Sequence, residues 1–463
     1  MRKTKEQIRQ TLEDMKQRQN ARTARLTDRC NLQDYAHRTY KGVQHGAEVV
    51  VWTDALQQAV NDHEIVYIPA AEEPYYMDGT VVIPSNRRVE AAEGAVICQL
   101  EGVQVLMLRN EHTHDGTHTP ISGADRDENI AIIGGRWEES YRARAGYGRS
   151  GRYDDQRSFS GVSTCMLFNN ITGVMLKNMT FAHTAGFSVQ MGDIAEVVIE
   201  NITFCACYAD GIHLNGNTEQ VWVHGLTGSV GDDLLALNMY DWQDSSVNFG
   251  PGRMIWAEEL IASPDSRYKA MRILPGVYYY ADGTSVDCGL YDTVIRQVQG
   301  VRNIKLYLQT PPYDIAAKNP EPGGVGSADN LFFEDMALNL DYPADHFGPY
   351  KAKDPVRGRF GAFEVGANIG RLTLENIRLT LYPEKQPLSC LLTVGPKSAP
   401  HNGKEIFDPY VRCRLDTLVL SGVTVNGIPV TDPARYVQEI VFDDLYGDGF
   451  SSGRGEIGEI VLE

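Results

Sequence analysis

Apolar and polar residues alternate with period two along much of this chain, the signature of a half-buried strand. The pattern is plainest over residues 173–238. There, Val174–Phe181, Val197–Phe204 and Val221–Gly228 nearly repeat, and the equivalent positions Asn178, Asn201 and Gly225 lie 23 and then 24 residues apart. Each segment ends in a small-residue turn and a second short apolar run. A fixed period in the twenties marks a stacked supersecondary unit. A unit of short strands that returns to its start after that length is one turn of a parallel β-helix. The same alternation predicts strands at Ile65–Pro69, Thr80–Pro84, Ala95–Leu100 and Ile130–Gly134, and again at Met254–Ile261, Met271–Leu274, Thr293–Val298 and Asn303–Leu308. Later coils are predicted at Leu331–Leu340, Phe360–Val365, Leu372–Leu381 and Leu415–Val425. The expected fold class is all-β, a single right-handed parallel β-helix over 46–463, preceded by a helical arm at 1–45.

Two stretches break the period. Thr53 or Asp54 can cap a short helix whose Leu56, Ala59 and Val60 form one apolar face. Such a helix would cover the open end of the first coil, otherwise an unpaired edge. Residues 1–29 are charged throughout and read as a polar, basic-leaning helix, either a solvated arm (the plainer reading) or an oligomer contact. Polar stretches at 109–128 and 136–165, and insertions at 239–252 and 341–358, are long enough to be functional loops walling a cleft. The acidic, Gly-rich tail after Pro433 is expected to close the far end.

Composition narrows the partners. The chain has 463 residues and a net charge of -18, so a nucleic-acid role would need a local basic stripe that the sequence does not show. No apolar run is long enough to span a membrane. The N-terminus has no apolar signal core, which points to a cytoplasmic protein. Its eight cysteines follow no regular framework and are expected to be reduced thiols, with no metal site. In a strand-rich chain Cys205 and Cys207 are expected to share a face.

Stacking supplies the candidate chemistry. Equivalent positions on successive coils sit one strand spacing apart, ~4.8 Å. Asp210 and Asp233 are 23 residues apart, one coil, and Asp232 adjoins the second. Three carboxylates crowded at a strand end repel one another, an arrangement that raises at least one pKa and keeps a proton available.

Ala209-Asp210-Gly211-Ile212-His213-Leu214, followed one coil later by Gly231-Asp232-Asp233, resembles the polygalacturonase family of glycoside hydrolases (family 28, of the pectin-lyase-like β-helix superfamily). The motif match covers about 165–240, and the coil pattern extends over most of the chain. The resemblance implies inverting hydrolysis of a glycosidic bond in a uronic-acid-containing or related glycan, as in pectin degradation. It assigns the general acid to Asp232 and water activation to Asp210 and Asp233. An inverting pair needs carboxyl groups roughly 6.5–9.5 Å apart. The family's Asn-Thr before the first Asp is here Tyr208-Ala209, and its Gly-His-Gly is absent. Its Arg-Ile-Lys, which holds the substrate carboxylate, corresponds to Arg272-Ile273 or to Arg302 through Lys305.

Other candidates for substrate binding are His213, which sits next to the acids unless its alternating strand turns it to the core, and Tyr240, Asp241 and Trp242 on the insertion beside the acids. Tyr278–Tyr280 could line the same cleft, while His183 and His224 read as surface or stack residues. The expected partner is an oligosaccharide, cleaved by exo-action without a cofactor; a homo-oligomer is possible. The rival readings are a β-helix lyase or intramolecular glycosyl transferase, and a non-catalytic glycan-binding β-helix.

Overall fold

The computed structural model describes residues 2–103, 105–113, 125–139, 164–241, 246–279, 283–307, 325–341, 361–385, 387–395, 398–401, 404–407, 412–440 and 454–463. Parallel pairing between strands one coil apart runs through nearly all of them and builds a right-handed parallel β-helix. The three-fold repeat is in register as its spacing requires: Val174 pairs with Val197, and Val197 with Val221. The predicted strands are present, several of them longer than the alternation marked. Thr164–Ala182 and Phe187–Cys205 each run on through a corner.

Those corners explain the repeat's polar signature. Asn178, Asn201 and Gly225 all have positive φ, at 55°, 56° and 73°. Asparagine and glycine tolerate that left-handed region better than other residues. The side chains stack as well, since Asn201 Nδ2 donates to Asn178 Oδ1 at 3.0 Å. Inside the coils, Val174, Val197, Val221 and Ile255 continue one apolar column of the central core. Parallel pairing begins ahead of residue 46, where Arg29–Asn31 pairs with Ile65–Tyr67.

Helix α2 (Thr53–Asp62) buries Leu56, Ala59 and Val60 against this core, as their spacing predicts. Its capping differs from expectation. Trp52 is the N-cap residue, and the Thr53 hydroxyl donates to Asp78 Oδ1 at 2.8 Å. Helix α1 (Lys5–Ala24) is not a solvated arm. Ile8, Leu12 and Met15 are fully buried on the outside of the coils against Ala131, Met175, Val198, Trp222, Trp256 and Val294. Its basic residues meet an acidic ladder on the same face: Lys5 pairs with Glu334 and Glu375, Lys16 with Glu200, and Arg22 with Glu196.

All eight cysteines are free thiols. Cys205 and Cys207 do not share a strand face, because Ala206 between them turns the chain at φ 51°. Among the described residues, no helix is long and apolar enough to cross a membrane.

Candidate functional site

The strand Ile212–Leu214 pairs on one side with Phe187–Cys205 and on the other with Leu235–Leu237. Ile212 and Leu214 point into the core, which turns His213 outward. One column of outward positions then runs Gln190, His213, Ala236. The pairing of Leu237 with Ile273 brings Arg272 next, and Lys305, Glu364 and Thr393 follow in register. Most of these side chains are polar, yet all are buried.

Asp210 and Asp233 sit one coil apart at the start of this column. The Gly211 amide donates to Asp233 O at 2.9 Å, and the Asp233 amide donates to Asp210 Oδ1 at 3.0 Å. Gly231 makes that stacking possible, because a Cβ there would lie 1.8 Å from Tyr208 O. Both aspartates are completely buried, whereas the side chain of Asp232 keeps 28% of its exposure. Asp232 is thus the acid that reaches the surface.

Arg272 binds the three together. Its Nε pairs with Asp233 Oδ2, and its Nη2 lies 2.6 Å from Asp232 Oδ1 and 3.5 Å from Asp210 Oδ1. One oxygen from each carboxylate lies within 4.8 Å of the others. That is tighter than the ~6.5–9.5 Å gap expected of an inverting pair. The reason is the guanidinium, whose planar fork spans all three acids and offsets their repulsion. The cluster has the composition of a cation site, and Arg272 supplies the cation's charge there.

Burial pushes the carboxyl of Asp232 upward, and the Asp210 charge adds to it, against the pull of Arg272. Asp233 is held well above the carboxylate range for the same reasons, with Asp232 as its nearest like charge. Asp233 Oδ1 has no hydrogen-bond partner among the described residues.

His213 occupies the other flank. Its Nδ1 lies 2.6 Å from Asp210 Oδ2 and its Nε2 3.0 Å from Asp241 Oδ2, and its ring stacks on Phe187 at 3.9 Å. Burial alone would lower its pKa, but the two carboxylates overcome that and raise it to about 9. Of the two placements open to His213, the strand takes the one beside the acids, and the side chain is buried there rather than in the core.

Of the two candidates for the basic motif, Arg272 is spent on the acids and Lys305 lies one coil beyond. Lys305 donates to the Tyr268 hydroxyl, with its Nζ 4.5 Å from that ring's centroid. Arg302 lies behind it, donating from Nη1 to Tyr268 O at 3.3 Å. Tyr240 is not a sugar platform. It is buried in the core cluster, with its ring 5.3 Å from Phe249. Tyr278 likewise stacks on Phe249, at 4.0 Å. Trp242 and Tyr280 fall outside the described residues, as do most of the 136–165 and 341–358 loops. His183 and His224 stay partly exposed beside Glu138 and Glu258, away from the acids.

Sequence reasoning missed three residues. Tyr268 lies between Arg272 and Lys305, its hydroxyl pushed well above the usual phenol range by burial. Asn215 and Asn238 end successive strands, and Asn215 Nδ2 donates to Asn238 O at 3.1 Å. Their signal was present in Leu214-Asn215 and Leu237-Asn238, which are 23 residues apart. A second group with metal-ligand spacing is Glu111, His112 and Asp127. There the Asp127 carboxylate already accepts from Asn110, Ser85 and His112, which ties down a turn.

No protein-family model matches the chain, and no curated protein matches it in sequence. Solved structures do match in shape. A hyperthermoactive exopolygalacturonase from Thermotoga maritima is 11% identical with a TM-score of 0.52, the match covering 97% of this chain and 96% of that one. A tailspike of the E. coli bacteriophage HK620, solved with a pentasaccharide, is 12% identical with a TM-score of 0.47, covering 94% of this chain and 64% of that one. A surface adhesin of Streptococcus pneumoniae is 11% identical with a TM-score of 0.43, covering 86% of each chain. At 11% identity the likeness to the exopolygalacturonase establishes the fold alone, and a fold does not by itself fix a function.

Proposed function

We propose that this chain is a glycoside hydrolase of the polygalacturonase type, an inverting and exo-acting enzyme on uronic-acid-containing or related oligosaccharides. The observation that carries the reading is the unequal burial of three clustered carboxyls. Asp232 alone is partly exposed, and its pKa is raised by burial. A protonated carboxyl at the surface can hand its proton to a leaving glycosidic oxygen. Asp210 and Asp233 are fully buried, so neither can reach an anomeric carbon as a nucleophile. Asp210 can act through a water as the base, while Asp233, which keeps its proton, can orient that water from its unpartnered Oδ1. That supports inversion despite the tight spacing. Arg272 holds the acids in place; Lys305, buried and donating to the Tyr268 hydroxyl, would have to exchange that partner to hold a sugar carboxylate. A cytoplasmic location and action on short chains belong to the same proposal.

Arg272's engagement favours a second reading, a non-catalytic glycan-binding β-helix, because a neutralised carboxylate cluster is also a stable structural device. Incubating wild type and Asp232→Asn with a panel of uronic and neutral oligosaccharides, and measuring new reducing ends, separates the two. Release by wild type that the variant loses supports the hydrolase. Retention of glycan without release by either protein leaves binding as the function.

A further inference from the structure

We infer that His213 is an imidazolium throughout the neutral range that positions Asp210 by bridging it to Asp241, pinning the start of the insertion after Asn238 to the catalytic coil. The inference rests on the hydrolase reading for its consequence in turnover, and on geometry alone for its charge state. Both ring nitrogens face carboxylate oxygens: Nδ1 at 2.6 Å from Asp210 Oδ2, Nε2 at 3.0 Å from Asp241 Oδ2. A carboxylate accepts and does not donate, so a ring held between two of them carries a hydrogen on each nitrogen. The ring is 1% exposed, and water cannot stand in for either partner.

The surroundings favour the same state at every contact but one. Asp241 is oriented by Asn238, whose Nδ2 donates to Asp241 Oδ2 at 3.1 Å. Asn215 Oδ1 accepts from Gln190 Nε2 at 2.8 Å and from the Val247 amide at 3.1 Å, which turns its Nδ2 toward Asn238 O. The same Nδ2 lies 3.2 Å from His213 Nε2, a donor beside a donor and the one contact that opposes the imidazolium; Asp241 Oδ2 is nearer, at 3.0 Å. On the neighbouring coils, Gln190 and Ala236 carry no charge against the imidazolium. The far oxygen of Asp210 accepts from the Asp233 amide at 3.0 Å and lies 3.5 Å from Arg272 Nη2. Asp210 is thereby held on both sides, by His213 at Oδ2 and by the Asp233 amide at Oδ1. Its freedom to swing away from a water is removed. The link through Asp241 explains how the insertion begins: Asn238 and Asp241 are both buried where the chain leaves its strand.

The test is nitrogen-15 NMR of the full-length protein labelled at histidine, with His213→Gln to assign the signal. The expected spectrum shows both ring nitrogens of His213 protonated from pH 6 to pH 8, and Asp241→Asn moves their titration into that range. In turnover, Asp241→Asn is expected to lower kcat by about 100-fold with KM within about twofold, the loss of a general base's positioning. A neutral His213 ring at pH 7 overturns the inference whether or not any glycan is cleaved. A doubly protonated ring with kcat unchanged in Asp241→Asn overturns the positioning role. If no glycan is hydrolysed, the hydrolase reading falls, while the NMR result still decides the bridge.

Discussion

Two faces of the same solenoid carry charge ladders one coil apart, and they use charge in opposite ways. Under helix α1, the acids Glu196, Glu200, Glu334 and Glu375 meet lysines and arginines that remain a quarter to nearly half exposed. Burial would raise Glu200, but Lys16 and Lys177 together hold it below its ordinary value. In the cleft, three carboxylates share one guanidinium, and the acids Asp232 and Asp233 are pushed up rather than down. On the outer face each acid gains a cation at the surface, and the charge is satisfied. Among the three aspartates, acids outnumber the guanidinium they share and two of the three are fully buried, so protons take up the balance.

The sharpest way to break this contrast is to remove the central cation. Arg272→Met leaves buried carboxyls unpaired, and breaking such a cluster costs about 3–5 kcal/mol. Denaturant unfolding should show that loss, together with loss of any glycan turnover. Next in size, Leu12→Ala on helix α1 is expected to cost about 2–5 kcal/mol, since Leu12 is fully buried against the outer face. An effect under 1 kcal/mol would show that the helix is not held there by packing.

Acidity separates the faces by sign. His213 titrates at about 9 against an ordinary 6.5. Its pairing therefore stabilises the fold in full below about 6.5, and that stability is lost as pH rises through about 9. Asp233, raised well above its ordinary 3.8, works in the same direction. Above 3.8 the unfolded chain gives up a proton that the folded chain keeps. Glu200 has the opposite sign. Held below 4.5, it contributes stability that is present above that value and lost on acidification. Thermal melts should accordingly fall between pH 6.5 and 9 in wild type, and fall less in Asp241→Asn. The smallest effect is expected from Lys16→Ala, about 0.2–1 kcal/mol, because its partner Glu200 keeps Lys177 at 3.0 Å.

What could be read from sequence followed the uninterrupted coils. Asp210 and Asp233 lie on neighbouring turns with nothing inserted between them, so their 23-residue spacing was directly the stacking distance. Beyond Ala236 the coils carry insertions of unequal length. Arg272 and Lys305 therefore share a column that no fixed period reveals. Tyr268 was hidden for the same reason. Tyr240 stays open in the sequence because an aromatic beside the acids suits either a sugar or the core, and Phe249, on the same insertion, provides the core partner. For helix α1 the missing information was its receptor. Ile8, Leu12 and Met15 form a stripe too thin to stand out. The apolar residues it covers, Trp222 and Trp256 among them, occupy outward positions of strands far along the chain.

The central claim is that Asp232 donates a proton while a water held by Asp210 and Asp233 attacks from the opposite side. Early-time proton NMR of an oligosaccharide digest tests it most directly, with Asp232→Asn in parallel. The account predicts that the first reducing sugar formed is the inverted anomer, and that the variant slows its appearance by about 100-fold or more. A retained anomer would contradict the water-mediated step and make one of the buried carboxylates a nucleophile. A vinylic proton signal would contradict hydrolysis itself and make the protein a lyase.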